Sequence, residues 1–457
     1  MGLKKNKVAG ALKTFLLGSV VALPLSLQAH AETLQEAVQQ ALATNPDIGA
    51  IANNREAIDQ ELRQARGLYL PQIDINAGIG LERTDDSTTR ARSSGSEGFE
   101  PSNASLVVQQ RLFDGFEASS TTDRELARVK AAANTVRENA EFLSLDAIGA
   151  YVEVLRQRDL LALAQENVAI HVEIINSLQE RLEAGGGSTA DVAQAEARAA
   201  SARNTLTETY NALRDAEADY ARIIGHFPDE LVQPETVVTT LPDTLDAAVD
   251  AAVNDNPTVQ ISKANVETAE AEVELTDVPF YPSVDIVARS DYEDQVSSTR
   301  GNYTENYSVG LELNWNLFRG GIDTANRQEA LARLAESKNN RYASVVNAQR
   351  EMRQSWFALE AARQSVSDLA AAVQFNTETR DAYREQFEVA QRTLLDVLDA
   401  ENELFVNRGQ LVTAMVNEQL AAYRVLALSG DLLGTLDVAA PDQAAFEDHG
   451  WAEGLFQ

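Results

Sequence analysis

The sequence predicts an α+β membrane protein. Each chain supplies four β-strands to a barrel shared between copies, together with long α-helical coiled coils, and the whole arrangement is given twice. Three observations predict this. A pattern of about 200 residues occurs twice, two long helix-forming spans lack proline, and short segments of alternating polarity stand beside those spans in each copy.

The repeat comes first because it organises the rest. Thr33-Leu34, Asn45-Pro46, Pro71 and Asp74-Ile75 return as Thr244-Leu245, Asn256-Pro257, Pro282 and Asp285-Ile286, each 211 positions later. Leu112-Phe113, Gly115, Asp191-Val192 and Gly225 return as Leu317-Phe318, Gly320, Asp396-Val397 and Gly430, with an offset of 205. Copies this long exceed any solenoid repeat and predict two structurally equivalent halves. The six-residue change between the two offsets falls between Ile75 and Leu112, which marks a tolerant loop there. The expected division is a leader over 1–31, a first repeat over 32–232, a linker over 233–243, a second repeat over 244–435 and a tail over 436–457.

The leader reads as a secretory signal. Lys4, Lys5, Lys7 and Lys13 precede and enter an apolar run centred on Phe15–Leu23, and Ala29-His30-Ala31 offers a small-x-small cleavage site before Glu32. The run is short for a membrane anchor, the competing reading. Removing the leader takes away four lysines and no acid, moving the formal charge from -32 to -36. Such an acidic chain lacks the basic footprint of a nucleic-acid partner. It has no cysteine, so disulfides, zinc thiolates, thiol nucleophiles and a lipid-modified N-terminal cysteine are all excluded. No later stretch approaches 18 consecutive apolar residues, so no transmembrane helix is expected.

Proline sorts the remainder. None occurs between Pro101 and Pro228 or between Pro282 and Pro441, and these spans are rich in Ala, Leu, Glu, Gln and Arg. Apolar residues recur at helical spacing, as in Leu143, Ala147, Ala150, Val154 and Leu161. Helix pairs are predicted over 116–183 with 189–224, and over 322–389 with 394–429. A helix near seventy residues reaches ~100 Å, a coiled-coil length rather than a globular one. Gly185-Gly186-Gly187 marks the first turn, whereas the second, near 390–393, has no glycine.

In Ile73–Glu82 and in Tyr307–Leu317 every odd position is apolar, the period of a strand with one wet face. The equivalents at 104–113 and 282–292 are weaker. Tyr69, Phe113, Phe280, Tyr281, Trp315 and Phe318 stand at the strand ends, as in outer-membrane barrels. A soluble hairpin with one buried face fits the strands alone equally well. Residues 83–103 and 293–306 read as polar loops. Four strands cannot close a barrel, and an open sheet edge in lipid leaves backbone groups unpaired. Membrane-spanning strands therefore require several chains to share one barrel, and three chains would give twelve strands.

The order of these pieces resembles the TolC family of outer membrane efflux proteins. The resemblance rests on Tyr69-Leu70-Pro71-Gln72, Gln110-Arg111-Leu112-Phe113-Asp114-Gly115, Leu317-Phe318-Arg319-Gly320-Gly321 and Thr393-Leu394-Leu395-Asp396-Val397-Leu398-Asp399-Ala400, and covers about 32–435. It implies a homotrimer with a twelve-stranded barrel in outer-membrane lipid, continued by an α-helical periplasmic tunnel. It also implies a passive duct joined through a periplasmic adaptor (a membrane fusion protein) to an inner-membrane ABC or proton-driven transporter, without a cofactor. Asp396 and Asp399, three apart on one helix face, match the acidic rings of the family's periplasmic gate. The competing reading is a solvated face of a very acidic protein. Arg392 matches a position that ties neighbouring coils together, with Asp191 as its acceptor. Pro71, Pro282, Gly115, Gly320 and Gly321 are structural turns between helix and strand.

Nothing supports catalysis. Beyond the leader the histidines are His171, His226 and His449, without metal-ligand spacing, and no phosphate loop or nucleophile elbow occurs. A soluble periplasmic coiled-coil scaffold or adaptor is the alternative function. An adaptor would need a lipoyl-like or barrel domain between its hairpin arms, and a scaffold would not need four alternating strands. The missing lipid-attachment cysteine and the family motifs lean toward type I protein secretion over drug efflux.

Overall fold

The computed structural model describes residues 31–85, 87–93, 97–234, 241–294, 303–389 and 391–446. Most of the leader, the outer part of the second loop and the end of the tail lie outside the described residues. The first half holds α1 (Leu34–Thr44), α2 (Pro46–Gly67), β1 (Gln72–Ile79), β2 (Glu82–Thr84), α3 (Ser87–Ser93), β3 (Glu97–Phe99), β4 (Ser102–Phe113), α4 (Glu117–Glu183) and α5 (Thr189–Ile224). The second holds α6 (Leu245–Asn254), α7 (Pro257–Asp277), β5 (Ser283–Asp294), β6 (Tyr303–Asn314), α8 (Ile322–Glu388) and α9 (Leu394–Ser429), followed by the short α10 (Leu432–Thr435). Helices α4 and α8 each run 67 residues, α5 and α9 each 36.

The repeated dipeptides are helix caps. Thr33 caps α1 in a capping box with Glu36, and Thr244 caps α6 by accepting from the Ala247 N–H. Asn45 and Asn256 then cap α2 and α7, with Pro46 and Pro257 in the first helical turn, where a missing N–H costs nothing. Pro71 and Pro282 stand one residue ahead of β1 and β5. At the opposite crossing, from strand to long helix, the backbone turns left-handed. Gly115 has φ +70°, and a Cβ there would approach the Tyr281 Cβ to 2.9 Å. The next residue differs between the halves: Gly321 caps α8 at φ 84°, but Phe116 caps α4 at φ 72°. A phenylalanine is strained there. Its ring sits edge-on to both Phe113 and Tyr281, at 5.5 and 5.6 Å between centroids, which offsets the strain.

Four strands form one antiparallel sheet in the order β1-β4-β5-β6. The register aligns Ile73, Val108, Ala288 and Val309 in one row and Arg111, Asp285 and Glu312 three rows further, on the opposite face. Residues directly opposite share a face. One face therefore carries Ile73, Ile75, Ile79, Val309, Leu311 and Leu313, all exposed, while the other carries Asp74, Arg111, Asp285, Arg289 and Glu312. On that polar face the Arg111 Nε donates to Asp285 at 3.3 Å. Strands β1 and β6 are the two edges, and neither outer edge has a partner among the described residues.

Two boundaries differ from expectation. The stretch 83–103 is not a plain loop: Pro101 lacks an N–H and interrupts the β1–β4 ladder, where Gly80 donates to its carbonyl at 2.9 Å. Pairing then resumes as the short ribbon β2–β3, with α3 at its end. Strand β6 starts at Tyr303 and stops at Asn314, because the Asn316 side chain accepts from the Phe318 N–H and turns the chain.

The main core lies midway along the long helices. Tyr151 of α4, Tyr220 of α5 and Tyr423 of α9 are essentially inaccessible there, packed with Val38 of α1 and Leu432 of α10. A second cluster joins α6, α8 and α9 around Val249, Met352 and Val425. A third, near the far ends, gathers Ile174 and Leu178 of α4, Ala195 of α5, and Leu394 and Leu398 of α9.

Candidate gate at the helical tips

The α8–α9 turn is built from its cap outward. Thr393 caps α9, and its hydroxyl accepts from the Asp396 N–H at 3.3 Å. The Asp396 carboxylate in return accepts from the Thr393 N–H at 3.2 Å and hydroxyl at 2.8 Å. These hydrogen bonds, with a smaller contribution from Arg392, hold its pKa below the usual aspartate value. Asp396 thus does a local job as well as presenting charge. Its repeat partner Asp191 occupies the same third position of α5, after the Ser188 cap.

Arg392 is engaged within its own hairpin. Its guanidinium lies 4.2 Å from the centre of the Tyr383 ring, its Nε donates to Gln386 at 2.9 Å, and Asp396 is 4.0 Å away. Among the described residues no ion pair joins Arg392 to Asp191, because the stacking and the Gln386 bond draw the arginine back along α8. The structure therefore does not bring this expected pair together in one chain.

Asp399 faces a partner that the sequence did not single out. Arg198 of α5 donates to its carboxylate at 3.1 Å, across the boundary between the two hairpins. Nearby on α4, His171 is 5% exposed, with an Nδ1 that has no partner among the described residues. Burial, aided by the Arg198 charge, pushes the His171 pKa down.

Further arginines bind the two hairpins together. Arg384 of α8 reaches Glu173 of α4 at 3.1 Å, and Arg408 of α9 reaches Glu166 of α4 at 3.1 Å. The Arg181 guanidinium lies 4.6 Å from the centre of the Phe387 ring. Most buried of all is Glu401, at 3% exposure, paired with Arg380 at 3.2 Å and Arg384 at 3.8 Å. Arg380 and Arg384 are four apart on one face of α8, a spacing visible in the sequence, but nothing there shows that Glu401 is buried between them.

The turn residues Pro71, Pro282, Gly115, Gly320 and Gly321 lie at the sheet end of the long helices, far along α4 and α8 from Asp396 and Asp399. Among the described residues no group of three or more His, Asp or Glu side chains is placed to hold a metal ion, and no helix is long and apolar enough to cross a membrane.

Against known proteins, the family profile described as outer membrane efflux protein matches residues 37–226 and 248–431. The chain is 28% identical over 429 residues to the outer membrane efflux protein BepC of Brucella suis biovar 1 (strain 1330), covering 93% of this chain and 90% of that one. It is 24% identical over 432 residues to the alkaline protease secretion protein AprF of Pseudomonas aeruginosa, covering 92% and 89%. A crystal structure of a membrane protein from Pseudomonas aeruginosa superposes with a TM-score of 0.76 at 18% identity, over 87% of this chain and 90% of that one.

Proposed function

This chain belongs to the outer membrane efflux protein family, and we propose that it is the passive exit duct of a tripartite export system. Its place is the outer membrane, with a periplasmic portion. Three copies complete a barrel of twelve strands, β1 of one chain pairing with β6 of the next, and their long helices line a continuous periplasmic tunnel. The observation that carries this reading is the sheet: an exposed apolar face, a charged opposite face and two unpaired edges. In hydrocarbon an unpaired edge is prohibitively costly, so such a sheet closes only with copies of itself.

The helical tips form the periplasmic entrance. Asp396 and Asp399 give two stacked carboxylate rings, attractive to cations. Arg392 and Asp191 pair between neighbouring chains when the entrance is closed. A periplasmic adaptor docks on the helical cylinder and joins it to an inner-membrane ABC or proton-driven transporter, which supplies the energy. The cargo class is protein secretion or small-molecule efflux, in keeping with relatives named for efflux and for protease secretion. A soluble coiled-coil scaffold is the contrary reading, and the exposed row of Ile73, Ile75, Val309, Leu311 and Leu313 speaks against it, since water would drive that face into aggregation.

Membrane fractionation followed by unheated gel electrophoresis tests the duct directly. The expected result is an outer-membrane species that runs as a trimer and conducts in planar bilayers. A wholly soluble monomer would sink the reading.

A further inference from the structure

We propose that Arg198 sets the charge of the periplasmic entrance by pairing with Asp399, so that the intact latch between α5 and α9 screens one of the two acidic rings. The inference rests on the assignment of Asp396 and Asp399 to the entrance.

Four observations carry it. The Arg198 guanidinium donates to Asp399 at 3.1 Å, and Asp399 is its ion-pair partner among the described residues. The contact joins helices from different halves of the chain, whereas the Arg392–Asp396 approach, at 4.0 Å, stays within one helix end and is looser. Arg198 sits one turn beyond Ala195, which is fully buried in the apolar cluster of the tips, so its place on α5 is fixed by packing. At the repeat offset of 205 Arg198 corresponds to Glu403, so the cation is found only in the first half. The two hairpins, alike in length and caps, differ in charge at this position, and that difference is what allows the pair.

Both side chains keep solvent access, at 41% for Arg198 and 59% for Asp399, so the pair adds little to stability. Its effect is on the field that an approaching ion meets. With Arg198 present, Asp399 contributes a screened charge; without it, each chain of the assembly gains one uncompensated negative charge at the entrance, and opening meets one less tie between hairpins.

The test is block of single-channel current by La3+ added to the side of the bilayer that carries the helical tips. Five variants are compared with the parent as unheated trimers: R198Q, R198K, D396N, D399N and R198Q/D399N. R198Q is expected to tighten block by up to about fivefold, the range of an exposed ion pair. R198K is expected to restore block to near the parent value, and R198Q to have no further effect in the D399N background. Equal effects of R198Q with and without Asp399 would overturn the pairing, since the arginine would then act at long range. If D399N weakens block but R198Q leaves it unchanged, the inference fails and the entrance assignment stands. If D396N and D399N both leave block unchanged, the entrance assignment itself fails.

Discussion

Helices α4 and α8 are the same element twice, and they live in different surroundings. Both run 67 residues from a left-handed cap. Along α4, twenty-three residues are buried, from Ala118 to Leu178; along α8 only Ala348, Met352, Ser355 and Leu359 are. The first is clasped by α2, α5, α7 and α9 of its own chain. The second presents Tyr342, Val346, Phe357 and Phe375 to the outside, each more than 40% exposed. Sequence cannot explain this difference by polarity alone, since both helices carry apolar residues at helical spacing. One satisfied and one unsatisfied long helix are what the proposed assembly requires of each chain, and the edges β1 and β6 fit the same proposal in the sheet.

Changes that break the satisfied side should have the largest effect. The double change R380A/R384A leaves Glu401 buried without either cation, and a loss of about 3–5 kcal/mol is expected for an uncompensated buried charge. Ile148→Ala, in the fully enclosed middle of α4, is expected to cost about 2–5 kcal/mol. Thermal unfolding followed by circular dichroism measures both. On the unsatisfied side the outcome should be of another kind. Phe357→Glu on α8 should leave helix content unchanged and dissociate the assembly, read as a shift from trimer to monomer in sedimentation. If that substitution left the assembly whole, α8 would not be an interface helix.

Two titrating groups sharpen the contrast between the middle of the helices and their ends. Burial raises Glu141 of α4 from 4.5 to about 7, although Arg137 and the N–H groups of Leu432 and Leu433 favour its charged form. Its folded value exceeds its unfolded one, so folding takes up a proton and stability falls as pH rises from about 4.5 to 7. Protection factors of the α10 amides, corrected for intrinsic exchange, should therefore fall between about pH 4.5 and 7, and E141Q should flatten the change. His171 has the opposite sign. Its folded pKa lies below 6.5, so the stability it contributes is present above 6.5 and lost as pH falls. Protection factors near Ile174 and Leu178, corrected for intrinsic exchange, should fall toward acid, and H171Q should remove that limb.

Much of the architecture was legible because length and period are strong signals. Proline-free spans of good helix formers gave 116–183 and 189–224, against α4 and α5 at Glu117–Glu183 and Thr189–Ile224. The turns at the two tips carry Gly187, Ser188 and Thr393, with Ser188 capping α5 and Thr393 capping α9, chemistry that can be read from residue type. The ribbon β2–β3 was not legible, since Glu82–Thr84 and Glu97–Phe99 are three residues each and too short for a period to emerge. At the tips, Asp396 and Asp399 stood out through a family motif. Arg198 did not, because a lone arginine on an acidic helix becomes notable only when folding brings it within 3.1 Å of Asp399 from the other half of the chain. Pairing of that kind lies in tertiary geometry and leaves no spacing to read.

The central claim is that β1 and β6 find each other in neighbouring chains. The absence of cysteine allows single cysteines to be placed one each along β1 and β6 without background. Oxidation in the outer membrane should then join chains through these two strands. Positions that face each other should give a ladder of one, two and three chains that ends at three. Cross-links confined within one chain, or a ladder that continues beyond three, would contradict the account.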